Sequence, residues 1–423
     1  MALLQPYPSR TILCNEFVGK DIDSLRTPAL VINRDVFAKN CEKMHASVKE
    51  WGAKFRAHVK THKTAEGVRL QLVSRVDKTH SVVVSTLMEA WQILQAGLVA
   101  DGTVKDILYG LPINVHKIPE LSKLSEELAT QGAKLRIFLD HPGQIEAIVE
   151  YVRGADNPRP WSAFVKVDVG EKRAGQTVES EEFKSLLQKI WSTPSITIFG
   201  FYCHAGGSYS STSLPQASSF LSQEVQAVNR AAEIALSLGP QPAAPYILSV
   251  GSTPTAHAAS SPETRAKLAA ALHGELELHA GNYPMLDLQQ LHTSLIDAES
   301  ISQKVIATVI SYYPGRGADG SDEALCDAGA LAMSKDTGPS GGYGDVVSAN
   351  GRGWQLGRIS QEHGILVRHP HFGSEEQKKL QVGDIIEIVG QHACLTAASF
   401  PWFYVVEGKG RQVVDVWVPW KGW

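Results

Sequence analysis

Long apolar runs are missing from this chain of 423 residues, and none reaches the roughly 18 residues that a membrane span needs. Charge of one sign is missing too: 40 Lys and Arg stand against 44 Asp and Glu, a net charge of −4. No basic field is therefore offered to nucleic acid or to an anionic membrane. Cysteine is scarce. The five, Cys14, Cys41, Cys203, Cys326 and Cys394, are odd in number, widely spaced and free of any CxxC pair, which argues against a disulfide framework. The opening stretch MALLQPYPSRTILCNEF has no charged region followed by an apolar core, so no secretory signal is read there. No internal repeat or low-complexity tract is evident. These absences leave a globular protein with 43% hydrophobic and 20% charged residues, expected in the cytoplasm and expected to meet small molecules.

What is present is an alternation. Apolar strand-like runs at 55–60, 80–86, 106–110, 134–140, 162–170, 196–205, 246–252 and 275–281 are separated by segments whose apolar residues recur at three and four, as in LMEAWQILQAG. Eight strand and helix pairs predict an α/β chain folded as a (β/α)8 TIM-type barrel, an open doubly wound sheet being the competing arrangement. After about residue 300 the texture changes to KVIATVISYYPG, DIIEIVG, FYVVEG and QVVDVWVPW with Gly-rich turns between them, which predicts a C-terminal mainly-β domain. The expected division is a barrel over 26–295 and a β domain made of 1–25 and 296–423, with PALVIN (28–33) able to join either.

Four short stretches carry candidate chemistry. In RAHVKTHK (56–63), an extended backbone puts Arg56, His58, Lys60 and His62 on one face. Buried cations need partners. Lys60, at the end of the first barrel strand, is either an activated amine or a lysine paired with an acid such as Asp168. In SVGSTPT (249–255), small residues and hydroxyls suit an anion, with Gly251, Ser252 and Thr253 as donors; HAGNY adds Gly281 and Asn282. These two turns follow the seventh and eighth strands, where barrels often bind phosphate. In FYCHAGGSY (201–209), His204 with Tyr202 or Tyr209 can meet a planar ring. In QHACLTAA (391–398), His392 and Cys394 share a face if the backbone is extended, and imidazole with thiolate suits zinc.

Together RAHVKTHK, GFYCHAGGSY, SVGSTPT, ELHAGNY, DAGALAMSKD and GDIIEIVGQHACLT resemble, in order, the motifs of the fold-type III pyridoxal-phosphate enzymes, in the alanine-racemase-like branch that holds eukaryotic D-serine dehydratase and D-threonine aldolase. The resemblance spans nearly the whole chain. It implies pyridoxal 5'-phosphate on Lys60 as a Schiff base, contacts from Tyr202, His204, Tyr209, Gly251, Ser252, Thr253, Gly281 and Asn282, and Zn2+ on His392 and Cys394. The implied reaction is β-elimination of D-serine, Lys60 taking the Cα proton and zinc activating the β-hydroxyl. Aldol cleavage of a β-hydroxy D-amino acid, or cofactor binding without catalysis, are the alternatives. Relatives form dimers, so a homodimer is expected. Ala57, His279 and Gly390 depart from the proline, arginine and proline of the family pattern, which leaves the contact to the pyridine nitrogen unassigned. On this reading the anions opposite the basic face come from outside, as cofactor and substrate.

Overall fold

Apolar residues, chiefly valine, isoleucine, leucine and phenylalanine, recur in eight short runs that are largely buried on both faces, as a parallel sheet covered by helices requires. The structure, a computed structural model, describes residues 7–155, 158–268, 271–339, 341–373 and 377–423. Residues 1–6 of the opening stretch and Ser340 of the Gly-rich TGPSGGYGD lie outside the described residues.

In chain order the strands are β1 (Ala29–Asn33), β2 (Lys54–His58), β3 (Ser81–Val84), β4 (Asp106–Pro112), β5 (Lys134–Leu139), β6 (Trp161–Lys166), β7 (Ile196–Tyr202), β8 (Tyr246–Val250) and β9 (Gly274–Ala280). They continue as β10 (Gln303–Tyr313), β11 (Glu323–Cys326), β12 (Gly344–Val346), β13 (Trp354–Ile359), β14 (Gly364–Arg368), β15 (Ile385–Gly390), β16 (Phe403–Val406) and β17 (Asp415–Trp417).

Two compact units result. One takes Cys41–Tyr283, Thr293–Leu295 and Trp420–Trp423. Here β2 to β9 close into an all-parallel barrel, each of the eight expected strands taking its place. Its helices show why they pack: in Glu181–Trp191 the buried residues are Phe183, Leu186, Leu187 and Ile190, one stripe at three and four, and the Ser180 side chain caps the start by accepting from Phe183 N. Inside the barrel, Val83, Leu108, Phe138, Phe164, Tyr202 and Ile247 form an apolar layer.

The other unit takes the chain up to Asn40, Pro284–His292 and Ile296–Pro419. Its nine strands run in the order β11-β14-β13-β12-β15-β10-β1-β16-β17, and a further pairing of β11 with β10 closes six of them into a ring. PALVIN joins this unit, since β1 pairs with β10 from Ala29↔Ile306 to Ile32↔Gln303 and with β16. The division by contacts therefore falls after Asn40 rather than at residue 26. Among the described residues no helix is long and apolar enough to cross a membrane, and the five cysteines are free thiols.

Candidate active site

The basic stretch separates into different environments. β2 ends at His58, two residues before Lys60, and within it the period of two holds: Phe55 packs edge-on against His45 of the helix Arg34–Trp51, while Arg56 points into the barrel. Arg56 awaits no ligand. It is 1% exposed; its Nε donates to Glu277 Oε1 at 2.8 Å and its Nη1 to Asp106 Oδ1 at 2.7 Å. Arg136 completes the layer, donating to Asp106 Oδ2 at 2.7 Å and lying against the ring of Phe199. The anions opposite Arg56 are internal, which corrects the expectation that they come from outside. Burial opposes the charge of Asp106, but Arg56 and Arg136 outweigh it and hold its carboxyl below the usual range.

His62 has left the strand and its face. Thr64 N donates to Nδ1 at 3.1 Å, so the ring proton sits on Nε2 and goes to Gln71 Oε1 at 2.8 Å. A buried neutral ring satisfied in this way resists protonation, and burial, only partly offset by the Gln71 bond, pushes it down to about 4. The unfolded chain, with His near 6.5, binds this proton more readily, so the contribution of His62 is complete above about pH 6.5 and is lost as pH falls toward 4. Urea unfolding in a pH series should show about 2 kcal/mol of stability lost between pH 7 and 5 on account of this residue, and His62→Asn should flatten that slope.

Lys60 lies in the turn just past β2, half-buried at the C-terminal mouth of the barrel. Among the described residues no carboxylate pairs with its amine. Asp168, the acid weighed as its partner, accepts from Lys172 N at 3.1 and 3.3 Å instead. The next cation, Lys63, is paired with the fully buried Glu89 at 2.9 Å. Burial first, then the charge of Lys60, holds the His58 imidazole well below its ordinary value.

The strands that follow bring most of the other predicted residues to the same mouth. Tyr202 is the exception in kind: His279 stacks on it at 4.0 Å and 11°, and Lys166 Nζ sits 4.3 Å from its ring centre. Its ring belongs to the barrel core. His204 Nδ1 lies 2.7 Å from Gly251 O and so carries the proton, and the Tyr209 ring is 6.2 Å away. Gly251 has φ +145°, and a Cβ there would fall 2.0 Å from the His279 carbonyl, so only glycine lets this loop approach β9. Gly251 N donates to Glu224 Oε1 at 3.3 Å and Ser252 N to Thr255 Oγ1 at 2.8 Å. These two expected anion donors have spent their N–H groups within the protein. Asn282 N donates to Thr253 Oγ1 at 3.2 Å, which leaves the Thr253 hydroxyl its own proton to give.

Three residues of the mouth escape the motif reading. Ser249 Oγ donates to Glu277 Oε1 at 2.8 Å and receives His279 Nδ1–H at 3.1 Å, so the neutral His279 ring presents Nε2 as an acceptor, buried without a partner. Lys166 ends β6, its amine pushed down to about 8 by burial, with the charge of Arg173 adding to the effect. Glu224 is fully buried on the helix Leu214–Leu238. The signal available for Lys166 and Glu224 is an ionisable residue on an otherwise apolar face.

His392 and Cys394 do not share a strand. β15 stops at Gly390, and His392 is the cap residue of the helix Ala393–Ser399. They meet because the first helical turn folds Cys394 back, hydrogen-bonded to the imidazole. His392 Nδ1 donates to Asp336 Oδ2 at 2.8 Å, and buried Asp287 fixes the turn by accepting from Ala393 N at 2.7 Å. Burial works against the imidazolium, but Cys394, Asp287 and Asp336 outweigh it and lift His392 to about 9. Among the described residues no three His, Cys, Asp or Glu side chains converge as a metal-holding group.

Two protein families match the chain: the alanine racemase N-terminal domain over residues 32–269 and the putative serine dehydratase domain over residues 302–406. The D-serine dehydratase of Schizosaccharomyces pombe is 43% identical over 97% of this chain and 95% of its own length. The chain belongs to the alanine-racemase-like family, in its D-serine dehydratase branch. The Saccharomyces cerevisiae D-serine dehydratase is 38% identical, covering 97% of this chain and 99% of that one. Among solved structures, D-threo-3-hydroxyaspartate dehydratase from Delftia sp. has a TM-score of 0.78 at 28% identity, covering 96% of this chain and 100% of that one. An enzyme of the same name has been solved as a cysteine-to-alanine mutant in the metal-free form. The protein is a lyase of a pyridoxal-phosphate-dependent fold family.

Proposed function

We propose that this lyase is a pyridoxal-phosphate- and zinc-dependent D-serine dehydratase, forming pyruvate and ammonia. The observation that carries the reading is Lys60, a half-buried amine at a barrel mouth with no carboxylate partner among the described residues. It stands in a chain that follows a D-serine dehydratase at 43% identity along its length.

The mouth fits the cofactor on one count: His279 Nε2 is a buried acceptor that a ring N–H would satisfy. In this reading the Thr253 hydroxyl and the Gly281 backbone hold the phosphate, Ser252 and Asn282 fix their positions, and His204 and Tyr209 flank the ring. The loop at His392 fits zinc. Imidazole and thiolate are suitable donors, the Asp336 bond keeps the proton on Nδ1 and presents Nε2, and two protein donors leave positions for water or substrate. The metal-free cysteine mutant of the 3-hydroxyaspartate dehydratase is in keeping with a metal that depends on a cysteine.

When bound, pyridoxal phosphate supplies an electron sink for the charge left at Cα, and zinc a Lewis acid for the departing β-oxygen. Lys60 Nζ takes the Cα proton as general base. His58, kept neutral beside it, adds no second cation, and Glu89 cancels the charge of Lys63.

Incubated separately with D-serine, L-serine and D-threonine, with and without added zinc, the purified protein should release pyruvate and ammonia from D-serine alone, and faster with zinc. Glycine and an aldehyde from D-threonine, with no pyruvate from D-serine, would assign aldol cleavage. Asp336→Ala should weaken zinc retention against a competing chelator by roughly 10- to 100-fold. Unchanged retention would place the metal elsewhere.

A further inference from the structure

The helix Leu214–Leu238 buries Ala217, Leu221, Val225, Val228 and Ala232 along one face, and Glu224 stands in the same stripe, 0% exposed. An ionisable group in such a stripe is costly unless its hydrogen bonds repay the desolvation. Glu224 Oε1 accepts from Ala205 N at 2.8 Å and from Gly251 N at 3.3 Å. Ala205 lies in the loop after β7 and Gly251 in the loop after β8. Two further bonds join these loops side to side: His204 Nδ1 to Gly251 O at 2.7 Å, and Ser208 Oγ to Ser252 Oγ at 2.7 Å.

We infer that Glu224 is the positioning residue of the phosphate cradle, one buried carboxyl that sets the spacing of the two loops through their backbone amides. This rests on the cofactor reading given above. Without the carboxyl, two buried N–H groups lose their acceptor and the loops can part, carrying Thr253 away from its place beside Asn282 N. Burial lifts the carboxyl to about 7, with the Ala205 amide, the Thr255 hydroxyl, the Gly251 amide and the charge of Lys166 pulling the other way. The accepting oxygen is present in either protonation state, so glutamine preserves the function and leucine abolishes it.

The test is binding of pyridoxal phosphate and of pyridoxal, which lacks the phosphate, to the full-length apoprotein by equilibrium dialysis. Relative to wild type, Glu224→Leu should weaken pyridoxal phosphate roughly tenfold or more while leaving pyridoxal within about threefold, and Glu224→Gln should restore the preference. Glu224→Asp, too short to reach both amides, should repeat the leucine result and serves if the leucine variant does not fold. Equal weakening of both ligands, or a lowered melting temperature with the preference intact, would overturn the inference by making Glu224 a general core residue. A wild-type protein that does not prefer pyridoxal phosphate over pyridoxal would instead overturn the cofactor reading on which it rests.

Discussion

Lys60→Ala is expected to lower D-serine turnover by roughly 10⁴-fold while leaving the fold intact, because the proposed function asks one amine both to anchor the cofactor and to move the Cα proton. The half-buried side chain lies in a turn past β2 and supports no strand pairing or ion pair among the described residues, so its removal should leave the melting temperature nearly unchanged. Two other lysines make the prediction specific. Lys63 is neutralised by Glu89, and Lys63→Ala should show its effect in stability rather than in turnover. Lys166 is the stronger competitor, since burial has already pushed its amine down to about 8. It is, however, enclosed against the Tyr202 and Phe138 rings, its Nζ 4.3 and 5.2 Å from their centres. Borohydride treatment of the holoenzyme followed by peptide mass analysis should find the cofactor fixed on the peptide containing Lys60. A fixed cofactor on the Lys166 peptide would reassign the chemistry.

The sequence discloses most where the cause is local. Eight largely apolar runs separated by amphipathic segments became the eight barrel strands, because both faces of most of their length are buried. Gly251, read as an anion donor, is a glycine for another reason: a Cβ there would fall 2.0 Å from the His279 carbonyl, and its N–H goes to Glu224. Most of the misses depend on partners distant in the chain. PALVIN reads equally well in either unit until β10 and β16 are there to pair with it. His392 and Cys394 come together through a helical turn rather than strand alternation, since an x-His-x-Cys spacing is the same in both and only the cap geometry separates them. Glu224 and Lys166 look like blemishes in apolar stripes until the loops and rings they touch are in place. Arg56 misled for the same reason: Asp106 and Glu277 lie 50 and 221 residues away.

Arg56→Met should destabilise the protein by about 3–5 kcal/mol, measured as the shift in urea unfolding at neutral pH, since it leaves buried carboxylates without their shared cation. The loss should fall unevenly on the two acids. Asp106 keeps Arg136 at 2.7 Å, whereas Glu277 keeps, among the described residues, the Ser249 hydroxyl at 2.8 Å. In the Arg56→Met background, Glu277→Gln should therefore recover more stability than Asp106→Asn, and the difference is a coupling energy that a double-mutant cycle measures. The pH dependence has a fixed sign. The carboxyl of Asp106 is held low in the folded state, so its contribution is present above the unfolded value of about 3.9 and disappears as pH falls through its lower folded value. The gap between wild type and Arg56→Met should therefore narrow as pH falls, beginning where the carboxylates left without Arg56 take up protons and ending at the lowered folded value of Asp106. A consequence reaches the mouth of the barrel, because Glu277 receives the Ser249 proton and Ser249 receives His279 Nδ1–H. If Arg56 sets the charge that orients this chain, its loss lets Ser249 turn, and His279 no longer presents a fixed Nε2 acceptor. Arg56→Met should then weaken pyridoxal and pyridoxal phosphate alike, the opposite signature to Glu224→Leu, and unchanged affinity for both would confine Arg56 to holding the barrel together.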